Sequence, residues 1–413
     1  MSKLFSRKST FNAPAEEVFT WHARPGALER MSPPWDPLEI VSKSGNIEKG
    51  ARVVMKLKAG PLPLKMTWAA EHTHYRPFTF FRDIQKRGPF AKWIHTHRFE
   101  PLDATTCSLE DSIEYVLPVP PFGQLVAGKL VAGKLSQIFR YRHETLAADL
   151  AVHQARPKKK PLTILVSGAS GAVGSALVPF LTTGGHRVLK LVRRPPHPAA
   201  DEIFWDPVRD VIDRDKLPPV DAVIHLAGES IGQGKWTAAK KKRIVASRNR
   251  STALLAHAVG RSATPPAVFI SASAIGYYGN RPDDLMTEAC LPGDDFISDV
   301  CTQWEDSAGP AAAYGIRTVF LRIGVALSPL GGALQRLLPT FRLGLGGRIS
   351  HGEQVMSWIG IDDVVGAIYH AINCPDIQGP VNVVAPNPVT NSEFTRTLGC
   401  VLKRPTSFLY LKK

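Results

Sequence analysis

Runs in which apolar and polar positions alternate with period two dominate the chain up to Leu117, then the rhythm changes. Strand-like runs are "MSKLFSRKSTFN", "ARVVMKLKAG", "LKMTWAAEHTHY", "FTFFRDIQ", "KWIHTHRFEPL" and "TCSLEDSIEYVL". After the first, "NAPAEEVFTWHA" signals a helix, with Asn12 as its cap, Pro14 early and Glu16 and Glu17 in the first turn. From Phe122 to Leu150 apolar residues recur at helical spacing, which predicts one long helix. Its "LVAGKLVAGKL" is a short echo, not a repeat architecture. The predicted fold is α+β, an antiparallel sheet around a long helix with an apolar cavity between them.

A polar, basic, proline-flanked stretch, "HQARPKKKP" at residues 153–161, follows. Beyond it the grammar is alternating strand and helix. The strands are "TILVS", "HRVLKLVRR", "DAVIHLAG" (221–228), "PAVFISASA" (266–274), "RTVFLRIGVAL" (317–327) and "GPVNVVAP" (379–386). That order predicts an α/β doubly wound parallel sheet of Rossmann type. The expected domains are therefore 1–152, a linker at 153–161, and 162–413.

Composition changes this picture little. At 413 residues, two or three domains are expected. No apolar run approaches the roughly 18 residues of a membrane span, and the opening lacks the apolar core of a signal peptide. Cys107, Cys290, Cys301, Cys374 and Cys400 are scattered with no CxxC pair, which argues against a disulfide framework or zinc finger and suits a reducing cytoplasm. The formal charge of +15 is mostly dispersed; its densest runs are "RPKKK" (156–160) and "KKKR" (240–243). With no zinc-ligand pattern and no RNP-type sequence, no nucleic-acid partner is expected. A solvated basic surface also suits an anionic cofactor.

Two histidine pairs stand on period-two faces: His95 and His97 with Trp93 and Phe99, and His72 and His74 with Trp68 and Ala70. If the faces meet, four imidazoles approach one another. No cysteine or clear carboxylate partner is evident. The expectation is ordinary hydrogen-bonded histidines beside a half-polar cavity, with no metal.

The strand "TILVS" runs into "GASGAVG", with Gly168, Gly171 and Gly174 at GxxGxxG spacing as a helix begins. Gly168 permits the tight turn, Gly171 lets the backbone approach a pyrophosphate and Gly174 allows close helix–strand packing. Ser170, Ala172 and Val173 complete the turn, and the helix N-terminus offers amides to phosphate. The next strand ends Val192-Arg193-Arg194 with no carboxylate before Asp201, which favours a 2′-phosphate and so NADP(H). Ligands gather at the C-terminal ends of such strands. His225-Leu226-Ala227-Gly228, Ser271-Ala272-Ser273 and Ile323-Gly324-Val325 should therefore surround the cofactor.

Residues 1–150, through "APAEEVFTWHARPGALERMSPPW" and "FRDIQKRGPFAKWIHTHRFEP", resemble the START-like (SRPBCC, helix-grip) superfamily. That implies a hydrophobic small molecule or lipid as ligand. From residue 162 to about 405 the chain resembles the extended, epimerase-like branch of the short-chain dehydrogenase/reductase superfamily. The matching stretches include "SGASGAVG", "HLAGESI", "KWTAAKKKRIVASR", "SASAIGYYG", "VCTQWE" and "FRLGLGGRISHGEQVMSWIGIDDVV". The resemblance implies Arg194, Leu226, Ala227 and Arg248 as NADP contacts, although Arg248 also reads as a helix residue pairing with a carboxylate. Gly360 stands where relatives carry histidine, and relatives continue past "RP", so a shortened substrate-side lid is expected.

Ordinary members of that superfamily use a serine with a Tyr-x-x-x-Lys pair. Ser273 fits the serine. The tyrosine and lysine positions hold Ile297 and Cys301, in a register supported by Glu305. Tyr277 or Tyr278 reads as a wall of the substrate pocket or as a displaced acid supported by Arg322 or Arg281; Ser273 with water, and NADP(H) binding without turnover, also remain open. Cys301 reads as packing. The expected function is an atypical NADP(H)-binding reductase or epimerase-like protein coupled to a hydrophobic-ligand domain, the alternative a non-catalytic sensor or scaffold. Its substrate is open, and a homodimer is admitted.

Overall fold

The computed structural model describes residues 2–58, 65–118, 124–156, 160–281 and 283–410. Two compact units divide the chain: Met1–Lys159 with Pro179–Gly185, and Lys160–Val178 with His186–Lys413. Part of the basic linker, residues 157–159, and the last residues of "SFLYLKK", 411–413, lie outside the described residues. So does Phe122, the expected start of the long helix.

In the first unit β1 (Lys3–Phe11), α1 (Ala15–Ala23) and α2 (Ala27–Arg30) come first. Strands β2 (Glu39–Ser44), β3 (Arg52–Lys58), β4 (Lys65–Arg76), β5 (Phe80–Arg87), β6 (Lys92–Pro101) and β7 (Cys107–Val116) follow, then helix α3 (Gln124–Gln154). The strands form one antiparallel sheet in the order β1-β7-β6-β5-β4-β3-β2. Alternation makes this sheet two-sided: Leu109, Asp111, Ile113 and Tyr115 of β7 are all buried while their neighbours are less so. On α3, Leu135, Phe139, His143, Leu146 and Leu150 repeat every three to four residues and are buried.

Two expectations fail here for local reasons. Pro14, not Asn12, is the N-cap of α1, and no side chain caps that end. The edge strand β2 was not foreseen because "EIVSKS" lies almost wholly exposed and carries no buried face.

The second unit contains β8 (Thr163–Ser167), α4 (Gly174–Thr183), β9 (Arg187–Val192), β10 (Glu202–Asp206), β11 (Val211–Ile212) and β12 (Ala222–His225). Then come α5 (Ala238–Gly260), β13 (Val268–Ala274), α6 (Phe296–Asp306), α7 (Gly309–Ala313) and β14 (Arg317–Ile323). With the strand Gly379–Val383 they build an eight-stranded sheet in the order β11-β10-β9-β8-β12-β13-β14 and then 379–383. All its pairs are parallel except the short β10–β11 pair. Strand β8 sits between β9 and β12, so the chain order reverses there and leaves a crevice at the strand ends. Leu165, Val223 and Phe269 are fully buried and pack with Leu254, Leu255 and Val259 of α5.

The run "RTVFLRIGVAL" does not continue as one strand. It breaks at Gly324, and Val325–Leu327 pairs instead with Trp358–Gly360. Val325 donates its N–H to the Ser357 carbonyl at 2.9 Å, and a Cβ on Gly324 would lie 2.8 Å from that same oxygen. Gly324 therefore allows one backbone to cross close to another.

Candidate functional site

The crevice at the end of β8 is shaped by glycine. Gly168 has φ +71°, and a Cβ there would stand 2.7 Å from the Leu226 carbonyl carbon. A Cβ on Gly174 would lie 2.3 Å from the Gly168 carbonyl oxygen and 2.7 Å from Ala169 Cα. Gly174 is thus required by the turn itself rather than by packing against a neighbouring strand. A Cβ on Gly171 meets only that same oxygen, at 3.2 Å, so the turn keeps an open side there. From above, a Cβ on Gly331 would stand 2.6 Å from Ala172 Cβ, so the loop at Ser328–Gly331 lies close over Ala172. Gly168, Ser170, Gly171, Ala172, Val173 and Gly174 are thus one continuous turn. It fits a pyrophosphate, which needs close backbone approach and free amides at a helix start.

Beside it, the loop Leu226–Gly228 hangs on a buried polar pair. Ser167 Oγ accepts from the N–H of Leu226 at 3.2 Å and lies 2.7 Å from His225 Nδ1. His225 Nε2 lies 3.1 Å from Ser251 Oγ, whose own proton goes to the Ser247 carbonyl at 2.6 Å. Nε2 therefore carries the ring proton, and Ser167 donates to Nδ1. Burial, reinforced by the charge of Arg248, lowers the His225 pKa to about 3.

Arg248 is no exposed helix residue. Its guanidinium lies 4.8 Å from the Trp304 ring centre and donates to the carbonyls of Glu229 and Ile244. A Cβ on Gly228 would be 3.3 Å from its Cζ, so this glycine leaves room for the arginine. Ser271 is fully buried and donates to the Ala272 carbonyl, which makes it part of the sheet rather than of an open surface. At the end of β9 both arginines are exposed, but only one is unmatched. Arg194 donates to both oxygens of Glu202, at 2.8 and 2.9 Å, while Arg193 makes no ion pair among the described residues.

At the ends of β13 and β14, Ser273 and Arg322 are register partners. Between them reaches Glu305 of α6, a residue that served the sequence reading only as a register marker. Ser273 Oγ donates to Glu305 at 2.6 Å, and Arg322 donates to both Glu305 oxygens at 3.0 and 2.9 Å. Arg322 also donates to the Tyr278 hydroxyl at 3.0 Å, which in turn donates to Asn382 at 2.6 Å. Tyr278 is therefore buried and fully engaged. Tyr277 is different: its ring lies over the Arg322 guanidinium, 3.4 Å from Cζ, and its hydroxyl makes no hydrogen bond among the described residues. Arg281 donates to the Pro292 carbonyl and does not join this group.

Ile297 and Cys301 face Gly276, where a Cβ would lie 2.4 Å from Ile297 Cγ2. Burial and the nearby Glu305 charge push the Cys301 thiol up to about 11, so it stays protonated and packs as an apolar group.

The first unit holds a cavity of about 440 Å³, lined by apolar residues such as Met55, Trp68 and Phe139 and by polar ones that include histidines, Asp83, Lys43 and Arg142. The pairs foreseen from the strand pattern meet only in part. A register shift between His72 and His74 turns His74 out, and it is exposed. His72, His95 and His97 line the cavity with His22. The missing carboxylates are also there: Asp83 stands opposite both His72 and His95, and Asp111 opposite His97. An aspartate at the second position of the otherwise apolar series Leu109, Asp111, Ile113, Tyr115 was the available signal. Burial would lower His95, but its hydrogen bond to Asp111 and the nearby Asp83 carboxylate prevail and raise it to about 9. Burial and the neighbouring His95 charge push His97 down to about 3. Burial opposes ionisation of Asp111, yet its histidines hold it well below the usual carboxylate range.

An antiparallel sheet around a long helix, joined to a parallel sheet with a glycine turn at its reversal point, defines the class. It is a START-like domain fused to a dinucleotide-binding domain of the short-chain dehydrogenase type. The chain belongs to the NAD dependent epimerase/dehydratase family, which it matches over residues 164–384. Residues 11–138 match the family described as polyketide cyclase / dehydrase and lipid transport. An epimerase family protein of Mycobacterium bovis is 42% identical over 246 residues, 60% of this chain and 81% of that protein. A nucleoside-diphosphate sugar epimerase structure from Corynebacterium glutamicum matches across 98% of this chain and 84% of its own, at 33% identity and a TM-score of 0.81. The human epimerase family protein SDR39U1, solved with NADPH, matches 60% of this chain and 83% of its own at 35% identity and a TM-score of 0.55. Among the described residues no helix is long and apolar enough to cross a membrane, and all five cysteines are free.

Proposed function

We propose that the protein binds NADP(H) in the crevice of its second unit and acts there as an atypical oxidoreductase or epimerase. On this reading the first unit holds an apolar small molecule or lipid. The observation that carries the catalytic part is the division of labour between adjacent tyrosines. Tyr278 is locked by Arg322 and Asn382, whereas Tyr277, its ring stacked on the same guanidinium, has a hydroxyl with no hydrogen bond among the described residues. That Tyr277 hydroxyl is available to give a proton to a substrate oxygen and take it back. Ser273 keeps its lone pairs but commits its proton to Glu305, so toward substrate it serves as an acceptor. The cofactor supplies hydride; the chain's residues position it and move the proton.

With NADPH and a panel of carbonyl compounds and sugar nucleotides, Tyr277→Phe is expected to lower the turnover rate about 100-fold or more while leaving NADPH affinity unchanged. Equal rates in the two proteins would make Tyr277 a wall of the pocket. Tight NADPH binding with no turnover across the panel would support the second reading, a non-catalytic NADP(H)-binding protein. That reading is favoured by the apolar Ile297 and Cys301 and by the engaged hydroxyl of Ser273.

The human relative solved with NADPH supports the cofactor assignment. The 2′-phosphate is expected at Arg193 and Arg194. Because Glu202 already matches Arg194, Arg193→Ala should cost the larger factor, about 10–100-fold in NADP(H) affinity, the scale of a charge-assisted bond. Isothermal titration with both cofactors checks this, and equal losses for NAD(H) would remove the phosphate role.

A further inference from the structure

The polar wall of the first unit's cavity gathers three possible metal-ligand atoms. Asp83 of β5 and His95 and His97 of β6 each offer one donor atom, and the three atoms all lie within 4.8 Å of one another. All three side chains line the cavity. His95 Nδ1 stands 3.4 Å from Asp83 Oδ2, long for a hydrogen bond. It is also the separation, about 3.4 Å, of two donors each about 2.1 Å from one tetrahedral ion.

The far side of this group is held by a second carboxylate. His95 Nε2 lies 3.0 Å from Asp111 Oδ1 and His143 Nε2 lies 2.7 Å from Oδ2. His97 Nδ1 lies 2.6 Å from Asp111 Oδ1, but at an angle that leaves this buried nitrogen without a hydrogen bond. His143 is fixed in turn by Ser9 at 2.8 Å. A buried carboxylate behind an imidazole whose other nitrogen faces a second oxygen is the support that metal-binding histidines ordinarily have. His72, across the sheet from Asp83, adds a buried Nδ1 with no hydrogen-bond partner.

We propose that Asp83, His95 and His97 bind a divalent transition cation of the zinc type, with one coordination position turned toward the cavity. Imidazole and carboxylate donors suit such an ion, and three protein ligands leave room for an oxygen of a bound molecule. Asp111 is a positioning residue, and the site adds to the cavity a point that selects ligands carrying a carbonyl or hydroxyl oxygen. This does not depend on cofactor binding in the second unit.

The test uses the full-length chain without a histidine tag, stripped with a chelator and titrated with Co2+ and Zn2+. One ion per chain is expected, with the visible absorption of tetrahedral Co2+ and no thiolate charge-transfer band. Asp83→Asn and His97→Gln should abolish this uptake, and Asp111→Asn should weaken it about 10–100-fold. His74→Gln, an exposed histidine on the same strand as His72, should leave it unchanged. Circular dichroism reports whether each variant folds; if His97→Gln does not, the wild-type stoichiometry and the Asp83→Asn variant decide. No stoichiometric uptake by the wild type, a thiolate band, or the same affinity in the folded Asp83→Asn variant overturns the proposal.

Discussion

Glu305→Ala is expected to destabilise the second unit by about 3–5 kcal/mol, the range for removing one partner of a buried ion pair. Glu305 and Arg322 have side chains only 11% and 3% exposed, so water cannot take the place of the lost carboxylate. Arg322 would keep the Tyr278 hydroxyl and the Glu288 carbonyl as acceptors, but nothing would match its charge. Ser273 would lose its acceptor as well. The cost is therefore that of a stranded cation, not the worth of the bridge. The double variant Glu305→Ala with Arg322→Met should recover much of the loss, because it removes the charge along with its partner. Guanidinium denaturation of the three proteins measures both quantities. A single-variant loss under about 1 kcal/mol would place the pair among solvent-screened bridges.

That network shows which part of the site was legible. The glycine turn was readable because a tight turn beside a strand excludes every other side chain, and the exclusion leaves a local signature. Gly168 carries it fully, with positive φ and a neighbour at 2.7 Å. Ser273 was readable from its place at a strand end. Glu305 was not, since a glutamate on a helix is ordinarily solvated and its partner Arg322 is 17 residues on. Only the register of β13 with β14 brings Ser273 beside Arg322. The same holds in the first unit. Period two placed His95 and His97 together, but a register shift removed His74 and two further strands supplied Asp83 and Asp111. Local spacing predicts faces; pairing across strands decides which charges meet.

Acid should loosen the second unit through His225, and with it the loop that flanks the glycine turn. The folded pKa is lowered from 6.5 to about 3 by burial. Below pH 6.5 the unfolded chain therefore takes up a proton that the folded chain refuses, and stability falls as pH falls until about pH 3. The slope approaches about 1.4 kcal/mol per pH unit, so His225 alone accounts for a loss on the order of 2–3 kcal/mol between pH 6 and pH 4. Other buried histidines, such as His22 and His97, tilt the curve in the same direction, so the wild-type slope does not isolate His225. The difference from His225→Gln does. That variant should be less stable at pH 7, where it loses the fit between Ser167 and Ser251, yet its stability should decline more slowly on acidification by about one proton's worth of slope. Denaturation curves at pH 7, 6, 5 and 4 give the comparison, and parallel curves for the two proteins would mean that His225 does not resist protonation. The consequence reaches the ligand site by a short path. A protonated Nδ1 needs an acceptor, which forces the Ser167 hydroxyl to turn away from its present donation while it still accepts from Leu226 and Ala227. The backbone of Leu226 is the wall against which Gly168 is fitted, so dinucleotide affinity should hold between pH 6 and pH 4 and weaken only as the pH nears about 3, where the folded chain takes up the His225 proton, and less in the variant.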